Sequence, residues 1–462
     1  MTINDFDDPA QWAEQQWGQA QLGDQRRTRR AVRLGSALAA QPAQSLPMQT
    51  GSWGDLKAAY RLLNEPDVTY QKLSAKHWDA TRRGAGGSQQ GTMLFVQDTT
   101  ELDFTPHWQT QGLGLIGNAQ GRGFLLHSCL AVLPHPANPQ VQGLAAQVAW
   151  TRTAVKKGSE SRHQRRYRRT EFDVWAETVE AIGRAPAPEL GTRWVSVGDR
   201  ASDVFSSFRR ATTLGWQCLV RAGQDRRIET AADEPGRLMQ WARGLEPRAH
   251  KRVVLRGRDG LPKREVDLQV AWSALRICAP QLGPERKERP LAGWCIRCWE
   301  ESDKAERVEW ILLSTVEVRD RAQALEQVEW YASRWVIEEY HKCLKTGCRM
   351  EARQLETAQG LLALLGFLSI VAVRLLQLRT LSRTEPERPA GQVVPRRLVK
   401  LVSARLGSSE PEAMTLRQFW QGVARLGGFI GRKSDGEPGW QTLWRGWLRL
   451  QDMCWGALQV HN

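Results

Sequence analysis

A long apolar run is the first thing missing. The most apolar stretch of this 462-residue chain, Leu361 to Val373, is too short to cross a bilayer before Arg374 interrupts it, and a buried core helix is expected there. The first residues, Met1 to Gln19, are polar and acidic and are not expected to act as a secretory leader. Cysteine is sparse: eight are scattered through the chain, which excludes a disulfide framework and points to a reducing, cytoplasmic setting. Cys295 and Cys298 are half of a zinc site with no second C-x-x-C or paired histidines to complete it, so Trp294 to Trp299 is expected as a strand. Acid is also short, 50 residues against 65 basic ones, giving a net charge of +15 and a pI near 9.8. A polyanionic partner follows most simply, nucleic acid before a membrane surface.

Four regions emerge, too much chain for one small core. Residues 1–83 are helical in pattern, with Gly84 to Ser88 expected as a flexible break. Asp24 can cap a helix to about Ala40 that carries Arg26, Arg27, Arg29, Arg30 and Arg33. A second helical stretch, from about Asp55 to Asn64, contains Lys57, Tyr60 and Arg61. Short basic helices suit a reader of DNA ends, and equally a solvated surface. Residues 89–379 read as an α/β core, with strands at Met93 to Val96, Phe124 to Leu133, Trp194 to Val197 and Trp216 to Val220. A β-rich insertion occupies about 226–308, and a long helix runs from about Ala322 to Lys345. Thr384 to Gly391 reads as a linker. The remainder, 392–462, is helical and rich in tryptophan, a candidate self-association face. The run Arg162 to Arg169 could follow a phosphate backbone or form a solvated loop.

Asp98 and Asp199 each follow a short apolar strand, where a carboxylate sits at the rim of a sheet; a turn or helix cap is the commoner role. The long helix is more informative. At ~100° per residue, Arg334, Glu338 and Lys345 fall within about 60° of Tyr331, while Val336, Ile337, Tyr340 and Leu344 face the other way. Such a stripe next to two aspartates suits phosphodiester cleavage, in which three carboxylates hold two Mg²⁺ ions and basic groups bind flanking phosphates. Gly112, Gly114 and Gly117 fit a dinucleotide fingerprint, but no strand precedes them, no helix follows, and 124–150 hold no acid. A glycine loop is expected.

Tyr331, Arg334, Glu338 and Lys345, with Asp98-Thr99-Thr100 and Asp199 to Asp203 upstream, resemble the signature of bacterial DDE transposases of the insertion-sequence-four family, transposon-five type. Leu22 to Thr28 and Ala59 to Arg61 resemble that family's end-binding domain, and Val371 to Arg379 and Ala424 to Phe429 its carboxy-terminal part. The likeness covers nearly the whole chain. It implies a ribonuclease-H-like catalytic core with a β-rich insertion, helical terminal domains, and Asp98, Asp199 and Glu338 as catalytic residues and ligands of two Mg²⁺ ions, with Mn²⁺ as a substitute. It implies a homodimer on double-stranded DNA that cuts terminal inverted repeats through a hairpin and joins 3′ ends to target DNA. Arg26, Arg27, Arg30, Tyr60, Arg61, Arg221, Trp310, Tyr331, Arg334, Trp335 and Lys345 are the DNA contacts it implies, Trp310 stacking on a flipped base. Read unaided, Trp310 is a core aromatic. Two other readings stay open: a non-catalytic end-binding or inhibitory relative, and a nuclease that cuts without joining.

Overall fold

The computed structural model describes residues 8–87, 91–135, 138–152, 161, 164, 168–255, 264–302, 307–407, 410–432 and 435–460. Most of the basic run at 162–169 lies outside them. Five helices open the chain: α1 (Pro9–Trp17), α2 (Gln25–Ala40), α3 (Leu46–Gln49), α4 (Trp53–Leu63) and α5 (Tyr70–Gly87). Asp24 starts α2 as expected, its carboxylate accepting the Arg26 amide at 2.7 Å. The expected break at Gly84 is absent, since α5 runs through it to Gly87. Packing overrides glycine's low helix propensity there: Ala85 is buried, and its carbonyl accepts Trp194 Nε1 at 3.0 Å.

The core is one large mixed sheet. Its strands are β1 (Gly91–Asp103), β2 (Gly114–Ile116), β3 (Gly121–Leu133), β4 (Gln140–Trp150), β5 (Thr192–Gly198), β6 (Gln217–Arg221), β7 (Arg227–Thr230), β8 (Pro235–Arg237), β9 (Ala249–Leu255), β10 (Arg264–Ile277), β11 (Leu291–Glu300) and β12 (Glu309–Ser314). They lie in the order β2-β3-β1-β5-β6-β12-β11-β10-β7-β8, with β4 also on β3 and β9 on β10. β4, β3 and β1 are antiparallel, and β1, β5 and β6 are parallel. Three antiparallel strands followed by two parallel ones is the ribonuclease-H-like arrangement. The β-rich stretch from 226 onward continues the same sheet, because β12 returns to pair with β6.

Period-two alternation gives the sheet two faces. Leu94, Val96, Val195 and Val197 join the core shared with α5 and the helix Ala358–Thr384, while Met93, Phe95 and Trp194 join the core beneath the helices Val174–Ile182 and Phe205–Thr213. Ala358–Thr384 has the length and hydropathy of a membrane span, but 89% of its apolar window is buried within the protein. It is the central core helix, packed by the amino-terminal helices on one side and by Phe419, Trp420, Trp444 and Trp447 from the carboxy-terminal helices.

Four further expectations change. β1 does not end before Asp98 but continues to Asp103, because β3 pairs with it beyond the end of β5. The long helix is not continuous: Arg321–Ser333 and Trp335–Lys342 meet at Arg334, and a π-turn, Cys343–Gly347, follows. The Gly112–Gly117 segment is not a free loop, since β2 pairs with β3 and Gln111 bridges to Thr357. The stretch after Thr384 is pinned, with the Ala390 amide donating to Met414 O at 2.8 Å and the Leu416 amide to Arg388 O at 2.8 Å.

Candidate active site

Sheet register brings the two aspartates together. β1 and β5 run parallel with Leu94 opposite Val195 and Val96 opposite Val197. Extending that register two residues sets Asp98 level with Asp199, which immediately follows β5. Both share the parity of the valines before them, so both belong to the face that packs the Trp335–Lys342 helix through Val336, Ile337 and Tyr340. Asp98 Oδ1 accepts the Thr99 amide at 2.8 Å. Asp199 Oδ1 accepts the Ala201 amide at 2.9 Å and so also caps the short turn Arg200–Ser202.

Arg334 closes the set from the helix side. Its Nη1 donates to Asp98 Oδ2 at 2.9 Å and its Nη2 to Glu338 Oε1 at 2.5 Å. The join between the two helices, where the Arg334 amide donates to Tyr331 O at 3.0 Å, puts the guanidinium between strand and helix. Burial works against its charge, but Tyr331, Asp98 and Glu338 outweigh that cost and hold its pKa above the usual value. Asp98 is pushed up to about 6, by burial first; Arg334 opposes the shift, and the charges of Asp199 and Glu338 add to it. Asp98 thus feels both other acids, while Arg334 joins it to Glu338. Among the described residues, no three His, Cys, Asp or Glu side chains form a closed metal cluster as they stand.

The raised pKa has a measurable sign. A carboxyl that ionises less readily folded than unfolded costs no stability below pH 3.8, and its cost grows until it is complete above about 6. Asp98→Asn is therefore expected to stabilise the chelator-treated protein by about 1–3 kcal/mol at pH 8 and by almost nothing at pH 4. Urea unfolding at the two pH values checks this, and an equal effect at both would remove the electrostatic explanation.

Tyr331 and Trp310 form the next layer. Their rings meet edge-on at 5.2 Å, and the Tyr331 phenol hydrogen-bonds with Arg221, whose Nη2 also donates to Glu309 O at 2.9 Å. Burial lowers the Arg221 pKa. Trp335 is 38% exposed beside Arg334. Lys345 lies inside the π-turn, where the α-helical period used to align it with Tyr331 does not apply; its Nζ lies 3.4 Å from Glu351. In the amino-terminal helices Arg26 is 88% exposed, whereas Arg27 pairs with Glu65 and Asp67, and Arg30 with Asp55 at 2.8 Å. These two arginines brace α2 against α4 and the turn after it. Tyr60 is half-buried on α4 and Arg61 exposed.

Sequence reasoning missed the support beneath Asp98. Gln97 and Thr99, on the opposite face of β1, are bridged by the buried His127, at 3.0 Å and 2.8 Å, and Gln97 Nε2 donates to Ser196 Oγ at 2.9 Å. A lone histidine in an apolar strand carries no signal of such a role. Asp203 is also fully buried; its Oδ2 accepts the Gly223 and Gln224 amides at 2.8 Å and 3.1 Å, and its Oδ1 pairs with Arg226. It fixes the turn that follows Arg221. Its spacing of four from Asp199 was the available clue.

Comparison with known proteins agrees at both ends of the chain. A family model described as Transposase DNA-binding matches residues 9–68, and one described as Transposase Tn5 dimerisation domain matches residues 370–460. Among solved structures, a piggyBac transposase synaptic complex with hairpin DNA aligns at 10% identity, over 90% of this chain and 74% of that one, with a TM-score of 0.33. The chain thus carries a DNA-binding domain of transposases before its sheet and the Tn5 dimerisation domain after it, and the two together support a Tn5-type transposase.

Proposed function

We propose that this transposase works by cut and paste: as a homodimer it binds terminal inverted repeats, nicks each end, releases the element through a DNA hairpin, and joins the 3′ ends to target DNA. The observation that carries the reading is the register of β1 and β5, which levels Asp98 with Asp199 while Arg334 ties Asp98 to Glu338. The residues suit a divalent cation. They offer hard carboxylate oxygens, and Asp98 is held near 6 partly by its acidic neighbours, a repulsion that added positive charge relieves. Asp98, Asp199 and Glu338 would hold two Mg²⁺ ions, or Mn²⁺ in their place. Such ions supply charge neutralisation at phosphorus and an activated water or 3′-hydroxyl.

The chain's own groups do the rest. Arg334 stands between the acids as a fixed cation and would grip the phosphate beside the cut, and Lys345 the next one. Tyr331 would orient a phosphate oxygen through its hydroxyl. Trp310, held edge-on by Tyr331, offers a face to a base displaced from the stack as the strand turns into a hairpin. Trp310→Ala is expected to leave first-strand nicking within a few-fold and to cut hairpin yield by about 10-fold or more, with Trp310→Phe in between. Equal loss of nicking and hairpins would refute that role.

The test is a supercoiled plasmid carrying two element ends, incubated with and without Mg²⁺ and resolved on a denaturing gel. Nicks, hairpinned ends and joined products support the proposal. Hydrolysis alone marks a nuclease, and end binding without nicking marks a non-catalytic relative.

A further inference from the structure

Trp108 is the most exposed large apolar side chain among the described residues, at 75%, yet the backbone that carries it is firmly tied. Its carbonyl accepts Arg122 Nη1 at 3.2 Å, and the Thr110 carbonyl accepts Arg122 Nη2 at 2.9 Å. The buried Thr110 hydroxyl donates to Leu355 O at 2.8 Å, and the Gln111 amide to Glu356 O at 2.8 Å. A rigidly held indole in water gains nothing from folding, so a partner that covers it is the physical explanation to seek.

The surroundings indicate which partner. Trp108 and His107 border a groove of about 590 Å³ that is also lined by Tyr60 and Asn64, from the end of α4. A second cavity of about 360 Å³ continues past Tyr60 and Gln354 and includes Arg349 and Arg353. Across both, Glu356 is the lone acid. Arg349 holds a left-handed backbone, φ 51°, unusual for a side-chain-bearing residue, and its side chain is exposed. One wall thus belongs to the segment matched by the transposase DNA-binding model; the groove at Trp108 carries no lysine or arginine, and the exposed cation is Arg349 in the adjoining cavity, Arg353 being buried.

We propose that this groove receives the DNA read by α4, with Trp108 packed against a sugar–base edge and Arg349 on a neighbouring phosphate. The inference rests on the transposase reading and adds a contact to it. Its occupant is DNA rather than a second copy of the chain, because the groove is continuous with the segment matched by the transposase DNA-binding model, and the exposed Arg349 in the adjoining cavity supplies a cation for a phosphate.

Hydroxyl-radical footprinting on a duplex carrying the element end tests it. Trp108→Ala is expected to bind on the order of 10-fold more weakly and to lose protection at two to four adjacent sugars, leaving the remainder of the footprint in place. Trp108→Phe should restore most of both. Arg349→Ala should weaken binding and flatten its salt dependence. Trp108 makes no core contact, so an unchanged thermal midpoint is expected for Trp108→Ala. An unaltered footprint and affinity overturns the proposal while the transposase reading stands. A change in oligomeric state in its place, by sedimentation without DNA, assigns the surface to self-association and overturns it too. A wild-type protein that protects no end defeats the underlying reading instead.

Discussion

Replacement of Asp98, Asp199 or Glu338 by alanine is expected to reduce Mg²⁺-dependent nicking by about 10³-fold or more each, with binding of element ends kept within a few-fold. The reason is the geometry of the set. Asp98 on β1 is level with Asp199, just past the end of the parallel neighbour β5, and Glu338 is reached through Arg334. A loss of 10³ corresponds to about 4 kcal/mol of barrier, a reasonable cost for removing one of three shared charges from a phosphoryl-transfer site. On the proposed function end binding falls to the amino-terminal helices, the segment matched by the transposase DNA-binding model, whose ion pairs, such as Arg30–Asp55, involve none of the three. On the proposed function the three work as one unit, so they should also fail alike, and doubles should be little worse than singles. Residual nicking above a tenth of wild type in any of the three would remove that residue from the catalytic set.

Arg334→Ala separates charge from ligation. It leaves all three acids in place but removes the cation between them, so the Asp98 carboxyl should rise further above its usual range. Nicking should fall by about 10²-fold, and the Mg²⁺ needed for half-maximal rate should change with it. A variant with wild-type rate and Mg²⁺ dependence would make Arg334 a structural pin only.

How much of this could be seen in the chain beforehand depended on range. Asp24 capping α2, the strand around Trp294 to Trp299 and the buried side of Val336, Ile337, Tyr340 and Leu344 follow from local chemistry and periodicity, and they stand in the structure. The candidate site residues stood out as a spacing pattern, but the wheel that aligned Tyr331 with Lys345 assumed an unbroken helix. The join at Arg334 and the π-turn at Cys343–Gly347 invalidate that assumption, and neither contains the proline or glycine pair that would announce a kink. Gly84 failed in the opposite direction: its low propensity was real, but the contact between Ala85 and Trp194 lies 109 residues away in sequence. The extra length of β1 beyond Asp98 came from pairing with β3, another non-local fact. The exposed basic helix was legible only in bulk. Which of its arginines faces water, as Arg26 does, and which braces the domain, as Arg27 and Arg30 do, depends on where Asp55, Glu65 and Asp67 fold back.

Acidification from pH 7 to pH 5 is expected to remove about 5 kcal/mol of folding stability from the metal-free protein, a large part of what a folded chain has. Three histidines are buried and neutral: His77 is pushed down to about 4, and His127 and His341 to about 3, in each case by burial first. His77 accepts the Leu144 amide on Nε2 at 3.1 Å, so its Nδ1 is the donor to Gln16, and a second proton would break the first bond. His341 also feels Lys345 and Arg334, which oppose its charging. A base with a depressed folded pKa keeps its full contribution above its unfolded value of 6.5 and loses it as pH falls, because the unfolded chain then takes up protons that the folded one refuses. At pH 5 each histidine contributes a loss of about 2 kcal/mol. Asp98 runs the other way, since its penalty eases as pH drops below about 6, and returns about 1 kcal/mol. Urea denaturation at pH 7 and pH 5 measures the sum. His127→Gln, which can keep a hydrogen bond to Thr99 or Gln97 but cannot titrate, should flatten the difference by about a third. A stability that stays level between pH 7 and 5 would mean that these imidazoles admit water or a counter-charge, and that the support beneath Asp98 is less closed than its hydrogen bonds indicate.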